Sequence, residues 1–558
     1  MAHRYRINEL KIKPGEDRSA LLRAVERKAG LRPGTLSVCV RRAAELRPGA
    51  YMILRESIDA RDKNDLHYVY TVEFETAKPL RTNRTVQAAP EQARREVPMG
   101  SEPLAGRPVI VGFGPCGIFA ALELAKRGYR PIVLERGSSM EKRIADVDRF
   151  RETGVLDPSS NMLFGEGGAG TFSDGKLASG IKSGNIRYVL ETFYDAGADE
   201  DILYKARPHI GTDVLRRVIV TLRRQIEALG GEVRFDTVLT DLTVADGRLT
   251  GVTVRCGQGE EYEITTNALV LATGHSARDT FQLLHQKGFA MEQKPISIGV
   301  RMEHPQALID VAQYGAAALE QYDLPPAEYK LSYRAESGRG VYSFCMCPGG
   351  EVVVCSTRDG ELCVNGMSNK ARDSGTANSG ILCDVRCEDY AGDDPLAGVR
   401  FQEKYERLAY ENATIGAGGW QPPTCTMAAF MQGAEAPAVP VASTVPSDTG
   451  RPSDADRVVN SLPPFAVEAI REAVPHFAYK ITGYDSPAAV VKAVETRSSS
   501  PVRVLRDKAG RSNVDGVYPA GEGAGYAGGI TSAACDGIRA AEHIIARFRP
   551  MEEPDSES

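Results

Sequence analysis

The sequence predicts an α/β protein built on a parallel nucleotide-binding sheet that a second, β-rich region interrupts. Two observations carry this reading. Residues 108–135 run strand, glycine turn, helix, strand, acid. Apolar strands ending in glycine then recur far downstream, at 267–274 and 514–529, with short strands, prolines and glycines in between. Alternation of helical and strand patterns of this kind belongs to doubly wound sheets.

The chain begins with a smaller unit. Residues 4–14 alternate as a strand. Asp17–Ala29 has Leu21, Leu22 and Val25 on one helical face and Gly30 at its end. Leu36–Arg42 and His67–Phe74 complete a β-α-β-β domain over residues 1–78. Residues 79–105 lack periodicity and are expected to be a linker. Residues 1–100 carry 20 Lys+Arg against 13 Asp+Glu, whereas the rest carries 48 against 61. A basic first domain on an acidic body suits an anionic partner such as RNA, but its basic residues are interspersed with acids, as on a solvated surface. It also lacks the aromatic pattern of a ribonucleoprotein domain, so nucleic acid is disfavoured.

Residues 106–290 form the first portion of the nucleotide-binding fold. The strand Pro108–Val111 meets the turn Gly112-Phe113-Gly114-Pro115-Cys116-Gly117. Gly112 permits the turn, Gly114 lets a pyrophosphate approach, and Gly117 packs helix on strand. The helix start offers free N–H groups to phosphate. The second strand, Pro131–Leu134, ends in Glu135, about 20 residues past the glycines, where a ribose hydroxyl is bound; Arg136 and Leu239 join it as cofactor contacts. A β-meander is expected from Glu232–Leu242, Leu249–Cys256 and Glu261–Thr265. The strand Asn267–Ala272 then brings Thr273 and Gly274 to the sheet edge. Residues 291–480 read as a separate substrate domain. Residues 481–550 return to the nucleotide fold, with a late loop at Gly521 and Glu522, then Gly528, Gly529 and Ile530 opening the helix Thr531–Phe548. Residues 551–558 are an acidic tail.

On these motifs the chain resembles FAD-containing oxidoreductases with the glutathione-reductase-like fold over residues 106–548. More closely, it resembles uncharacterised FAD-dependent dehydrogenases with a small N-terminal α/β domain. The shared motifs are Phe164–Leu177, Gly299–Pro305, Asn365–Ser368, Glu495–Pro501 and Gly521–Ile530. The resemblance implies a Rossmann-like FAD-binding domain with an inserted α+β substrate domain. It implies FAD as cofactor and redox chemistry but not the substrate, which Arg301 and Arg497 suggest is a small organic molecule, acidic or polar. Relatives of the fold often carry Asp where this chain has Glu522. No second Gly-x-Gly-x-x-Gly unit lies in 275–480, so NAD(P)H is expected only as a transient electron donor.

Within the insert, Arg301, Asn365 and Arg497 are the candidates for holding substrate. His304 and Glu303 are the candidates for moving protons. Lys176 follows a glycine-rich loop and is a candidate for the flavin ring or phosphate. Segment 164–177 lacks the cysteine pair of flavin disulfide reductases. Cys345, Cys347, Cys355, Cys363, Cys383 and Cys387 cluster in sequence, but without Cys-x-x-Cys spacing, so no metal is expected. Cys345 and Cys347 fall on one face of a strand and read as small core residues. The chain of 558 residues, 25% charged and 42% hydrophobic, has no membrane-length apolar run and no apolar leader at Met1–Arg6. A cytoplasmic location and no membrane partner are therefore expected. The rival function is a flavin-bearing RNA- or partner-binding protein docking through its first domain.

Overall fold

A computed structural model describes residues 3–90, 96–416, 419–432 and 454–552. The first sheet has the order Val38–Cys39, Ala50–Asp59, His67–Thr76, His3–Ile12, Val86–Ala88. The helix Arg18–Ala29 packs Leu21, Ala24 and Val25 against Ile7, Leu10 and Phe74. Asp17 caps it by accepting the N–H groups of Ser19 and Ala20, and Gly30 ends it at φ 67°. Two strands here were not foreseen. Ala50–Asp59 opens on a wholly buried run, so it shows no period-two alternation. Val86–Ala88 lies in the expected linker and pairs with Tyr5–Ile7. The expected strand at 36–42 shortens to Val38–Cys39.

The first sheet is anchored on the body of the chain. Glu56 N–H donates to Tyr204 O at 2.7 Å, and Ala206 N–H to Glu56 O at 2.8 Å. Arg18 and Arg41 both pair with Glu200, and Arg42 pairs with Asp195. Part of the basic excess of the first domain is thus met by acids of the same chain.

The second sheet is parallel. Its order is Glu232–Arg234, Ile132–Leu134, Val109–Val111, Leu269–Leu271, Val517–Pro519. In chain order this is 3-2-1-4-5, the Rossmann arrangement. The expected strand 232–242 splits: Glu232–Arg234 joins this sheet, and Thr237–Ala245 starts the antiparallel meander with Arg248–Cys256 and Glu261–Thr265. Asp236, at φ 50°, makes the break. The helix Ile530–Arg547 packs on Pro115–Lys126 so closely that a Cβ on Gly537 would sit 2.0 Å from Cys116 O. Gly100 and Glu102 donate to the carbonyls of Ile545 and Arg547, so this end of the linker region is tied down too.

The third sheet is antiparallel: Ser332–Arg334, Gly340–Cys347, Thr376–Val385, Ile296–Pro305, Val490–Glu495, Thr424–Thr426. The helix Pro464–Lys480 covers it through Ala466, Ile470, Val474 and Phe477. Here the domain reading needs correction. Val490–Glu495 belongs to this sheet, not to the returning nucleotide fold. A fully buried strand is apolar on both faces, so its sequence does not say which sheet receives it. The tail residues 553–558 lie outside the described residues. Among the described residues no helix is long and apolar enough to cross a membrane.

Candidate functional site

Three segments meet at the carboxyl edge of the parallel sheet. A Cβ on Gly112 would lie 2.3 Å from Ala272 O, so the first turn touches the end of the next strand. A Cβ on Gly523 would lie 2.4 Å from Gly274 O, and one on Gly521 2.9 Å from the Cys116 Cβ. The late loop therefore rests on both other segments. Segment 164–177 closes one side: Thr531 Oγ1 donates to Leu177 O at 2.7 Å, and a Cβ on Gly170 would lie 3.2 Å from Ile530 Cγ1.

Two glycines reveal the space between. Gly114 has φ −82° and Gly528 lies outside the left-handed region, so neither needs glycine for its backbone. A Cβ on Gly114 would meet only Gly168 Cα, at 3.7 Å, and one on Gly528 would meet nothing within 4 Å. Gly274 and Gly529 also face open space. Gly274 and Gly529 are glycine for their left-handed φ of 72° and 85°, but neither backbone nor packing gives a reason for glycine at 114 and 528, whereas a dinucleotide lying against the backbone does. Pro115 and Cys116 are the first residues of the helix Pro115–Lys126, and Gly117 packs on Gly112 O. Gly529 caps the helix that starts at Ile530. The residues fit FAD: the first helix end would hold its pyrophosphate, and the last would face its ring.

Glu135 sits where the sequence places it, with a further duty. Its carboxylate accepts from Phe113 N at 2.8 Å, Gly137 N at 2.9 Å and Gly165 N at 3.0 Å. It stitches three loops, and a ribose hydroxyl would add to these bonds. Arg136 lies over the Phe164 ring at 4.5 Å and pairs with Asp279. Leu239 is buried in the core beneath the meander, and Thr273 is half-buried at the strand end. Glu522 is only partly covered. Burial pushes its carboxyl up to about 7, against a hydrogen bond from Gly529 and attraction to Lys294.

Arg143 gave no signal in sequence, being one charge in a helix charged all round. It is fully buried and donates to the carbonyls of Asn161, Glu166 and Gly168 and to Thr171 Oγ1. It shapes the glycine-rich loop. Lys176 reaches the Asp174 carboxylate and Met346 O, so it joins this loop to the inserted sheet. Asp174 is fully buried, also accepts from Ser368, and lies 3.4 Å from Arg372. Lys176 and Arg372 hold it well below the ordinary carboxylate range despite burial.

The substrate candidates need correction. Arg301 is fully buried and its five N–H groups are all engaged. Nε and Nη2 hold Glu495 at 2.7 and 2.9 Å, Nη1 donates to Cys345 O and Asn378, and Nη2 also to Asn365 at 3.1 Å. Asn365 is thus a partner of Arg301. Arg497 forks onto Glu406 at 2.8 and 3.0 Å, beside the pairs Arg278–Glu361 and Arg278–Glu406 at 2.8 Å. Glu303 pairs with Lys492 at 2.5 Å, both buried. His304 is 1% exposed; Nε2 donates to Tyr484 O at 2.6 Å, and burial keeps the ring neutral. The side chains of Arg301, Arg497, Glu303 and His304 are buried and engaged inside the insert. Sequence showed their polarity but not the buried partners that consume it.

Among the described residues no three His, Cys, Asp or Glu side chains gather as metal ligands. Cys355 and Cys363 lie buried on paired strands, and Cys383 is in the core of the insert. Cys345 departs from the core reading, being partly exposed at φ 42°.

Three outcomes test this geometry. Gly114→Val should fold, since its Cβ meets only ordinary contact, yet retain no flavin; absorbance of the purified protein checks both with circular dichroism. Arg301→Met leaves Glu495 buried and unpaired, and should cost about 3–5 kcal/mol of unfolding free energy in urea. Glu522, raised in the fold relative to the unfolded chain, binds its proton more tightly when folded. Cofactor-free protein should therefore lose stability as pH rises from about 4.5 to about 7, by about 1–3 kcal/mol for this group, and Glu522→Gln should remove that part of the slope.

Comparison with known proteins agrees with the site. Residues 295–498 match the family described as "FAD-dependent protein, C-terminal domain-like", and residues 4–75 match a domain of unknown function, DUF8436. An uncharacterized protein of Clostridium beijerinckii is 44% identical over 503 residues, covering 89% of this chain and 92% of that one. Among solved structures, a triple mutant of the flavin-dependent brominase Bmp2 matches at 14% identity and TM-score 0.36, covering 79% of each chain. L-proline dehydrogenase from P. horikoshii matches at 13% identity and TM-score 0.32, covering 80% of this chain and 93% of that one. At these scores neither informs on the reaction. The identity to the clostridial protein, the matched C-terminal domain and the glycine-lined cleft agree: the chain belongs to a family of FAD-dependent proteins, with FAD as its cofactor.

Proposed function

We propose that the protein is an FAD-dependent oxidoreductase of the dehydrogenase type, acting on a small organic substrate, with NAD(P)H as a transient electron donor. The observation that carries this reading is the open, glycine-lined edge of the parallel sheet, bordered by the inserted sheet through Lys176 and Met346. FAD, when bound, supplies two-electron chemistry. The N-terminal end of the helix Ile530–Arg547, with its dipole, would favour negative charge on the ring. Glu522, with its carboxyl near 7, is suited to hold or pass a proton at the same edge. Lys176 adds a positive charge anchored by Asp174.

Arg301, Arg497, Glu303 and His304 have no part in this reading, because each is committed to a buried partner. We place substrate instead beside Lys176 and Glu522, which stay partly exposed although Lys176 is also paired with Asp174. The rival RNA-docking function loses support because Arg18, Arg41 and Arg42 are paired with Glu200 and Asp195.

The denatured protein should release FAD and not FMN, as chromatography of the supernatant will show. Under anaerobic conditions NADH, NADPH or a fractionated metabolite pool should bleach the bound flavin. A flavin that dithionite bleaches reversibly, but that no pyridine nucleotide or metabolite fraction reduces, would overturn the enzyme reading in favour of a binding protein.

A further inference from the structure

The strand Gly340–Cys347 follows Thr376–Val385 in register as far as Phe344 opposite Gly380, then resumes at Cys347 opposite Asn378. Three steps on one strand match two on the other, so the strand bulges at Cys345 and Met346. Cys345 takes φ 42°, which few residues other than glycine adopt. In a flat strand two such cysteines would stand about 6.5 Å apart at Cα, near the upper limit for a disulfide. A bulge bends the strand between them. Cys345 is partly exposed and Cys347 is sealed beneath it.

Cations surround the pair. Arg301 Nη1 donates to Cys345 O at 3.0 Å and lies 3.8 Å from Cys347 Sγ, while Lys176 Nζ donates to Met346 O between them. The Cys347 Sγ lies 3.2 Å from Cys345 O, and its one proton serves either that carbonyl or, once Cys345 is ionised, the Cys345 sulfur. The charged groups facing Cys345 are Lys176 and Arg301 on one side of the balance and Asp174 and Glu495 on the other. Asp174 is itself met by Lys176, Arg372 and a neutral His209, and Glu495 by Arg301. A hydrogen bond from Cys347, with Lys176 and Arg301, pushes the Cys345 thiol down to about 5, whereas burial pushes Cys347 up. The pair therefore joins a thiolate on a partly exposed residue to a thiol on a buried one.

We propose that Cys345 and Cys347 are a nucleophile and resolving thiol that reduce a small-molecule disulfide. The Cys345 thiolate attacks one sulfur of R–S–S–R. The S–S bond breaks, and RS⁻ leaves and takes a proton. Cys347 then gives up its proton and attacks Cys345 Sγ, forming an intrachain disulfide and releasing the second RSH. Two protein thiols are oxidised and one external disulfide is reduced, so two electrons are exchanged without calling on the flavin. This thiol exchange is thus independent of the dehydrogenase chemistry.

Glutathione disulfide added to the FAD-loaded protein tests it. The expected result is loss of two of the eleven thiols, two glutathiones released per chain, and a disulfide linking Cys345 to Cys347 in the peptide map. Cys347→Ser should stop with one glutathione held on Cys345, and Cys345→Ser should take none at Cys347. Should either variant fail to fold, iodoacetamide on the unmodified chain decides. Labelling of Cys345 should be nearly flat between pH 6 and 8, whereas an ordinary thiol, with free glutathione run alongside as reference, gains about tenfold per unit below its pKa of about 8.5. Lys176→Met should bring back a pH slope at Cys345. A Cys345 that labels with the ordinary slope or not at all, or a glutathione reaction that leaves no Cys345–Cys347 link, overturns the proposal.

Discussion

The close approach of backbones at the carboxyl edge of the parallel sheet is the constraint on which the rest depends. Gly112 against Ala272, Gly523 against Gly274 and Gly521 against Cys116 leave no room for a side chain at any of the three contacts. Because these contacts are made, the first turn, the fourth strand and the late loop converge. Because two of them are backbone contacts and the third meets only the short Cys116 side chain, the open glycines beside them line a smooth cleft. Glu135 then fixes the loops above it by collecting the N–H groups of Phe113, Gly137 and Gly165, each of which would otherwise be a buried donor without a partner.

The inserted sheet is held to this edge by buried charge. Arg278 starts the helix after the fourth strand and reaches Glu361 and Glu406, and Glu406 is shared with Arg497. Arg301 and Glu495 tie neighbouring strands within the insert. Such networks add little net stability over an apolar core, but removing one member is costly, so they fix which parts pack together. They also use up the groups that look reactive in the sequence. A guanidinium with five partners is scaffold, however well its neighbours resemble a catalytic motif.

What is left beside the cleft is a smaller set. Lys176, Asp174, Glu522 and the bulged Cys345 come from three separate stretches of chain, two on the nucleotide fold and one on the insert. The link from Lys176 to Met346 O carries the cleft into the inserted sheet. Strained backbone and displaced ionisation both occur at Cys345, where local regularity is broken.

The sequence by itself determined the elements whose causes are local. Asp17 and Gly30 bound the first helix, Gly112 to Gly117 make the turn, and Glu135 follows at the spacing the dinucleotide fold requires. Each depends on residues within one turn or one β-α-β unit. Only the tertiary structure decided the fate of the charges and the buried strands. Arg301 finds Glu495 194 positions away, and Arg18 finds Glu200 182 away. Val490–Glu495 pairs with Ile296–Pro305 although its apolar run suits either sheet. Cys345 leaves the regular strand only because Thr376–Val385 pairs with one residue fewer. The reason is common to all four: an ion pair, a strand register or a bulge is a property of two segments, and neither segment alone contains it.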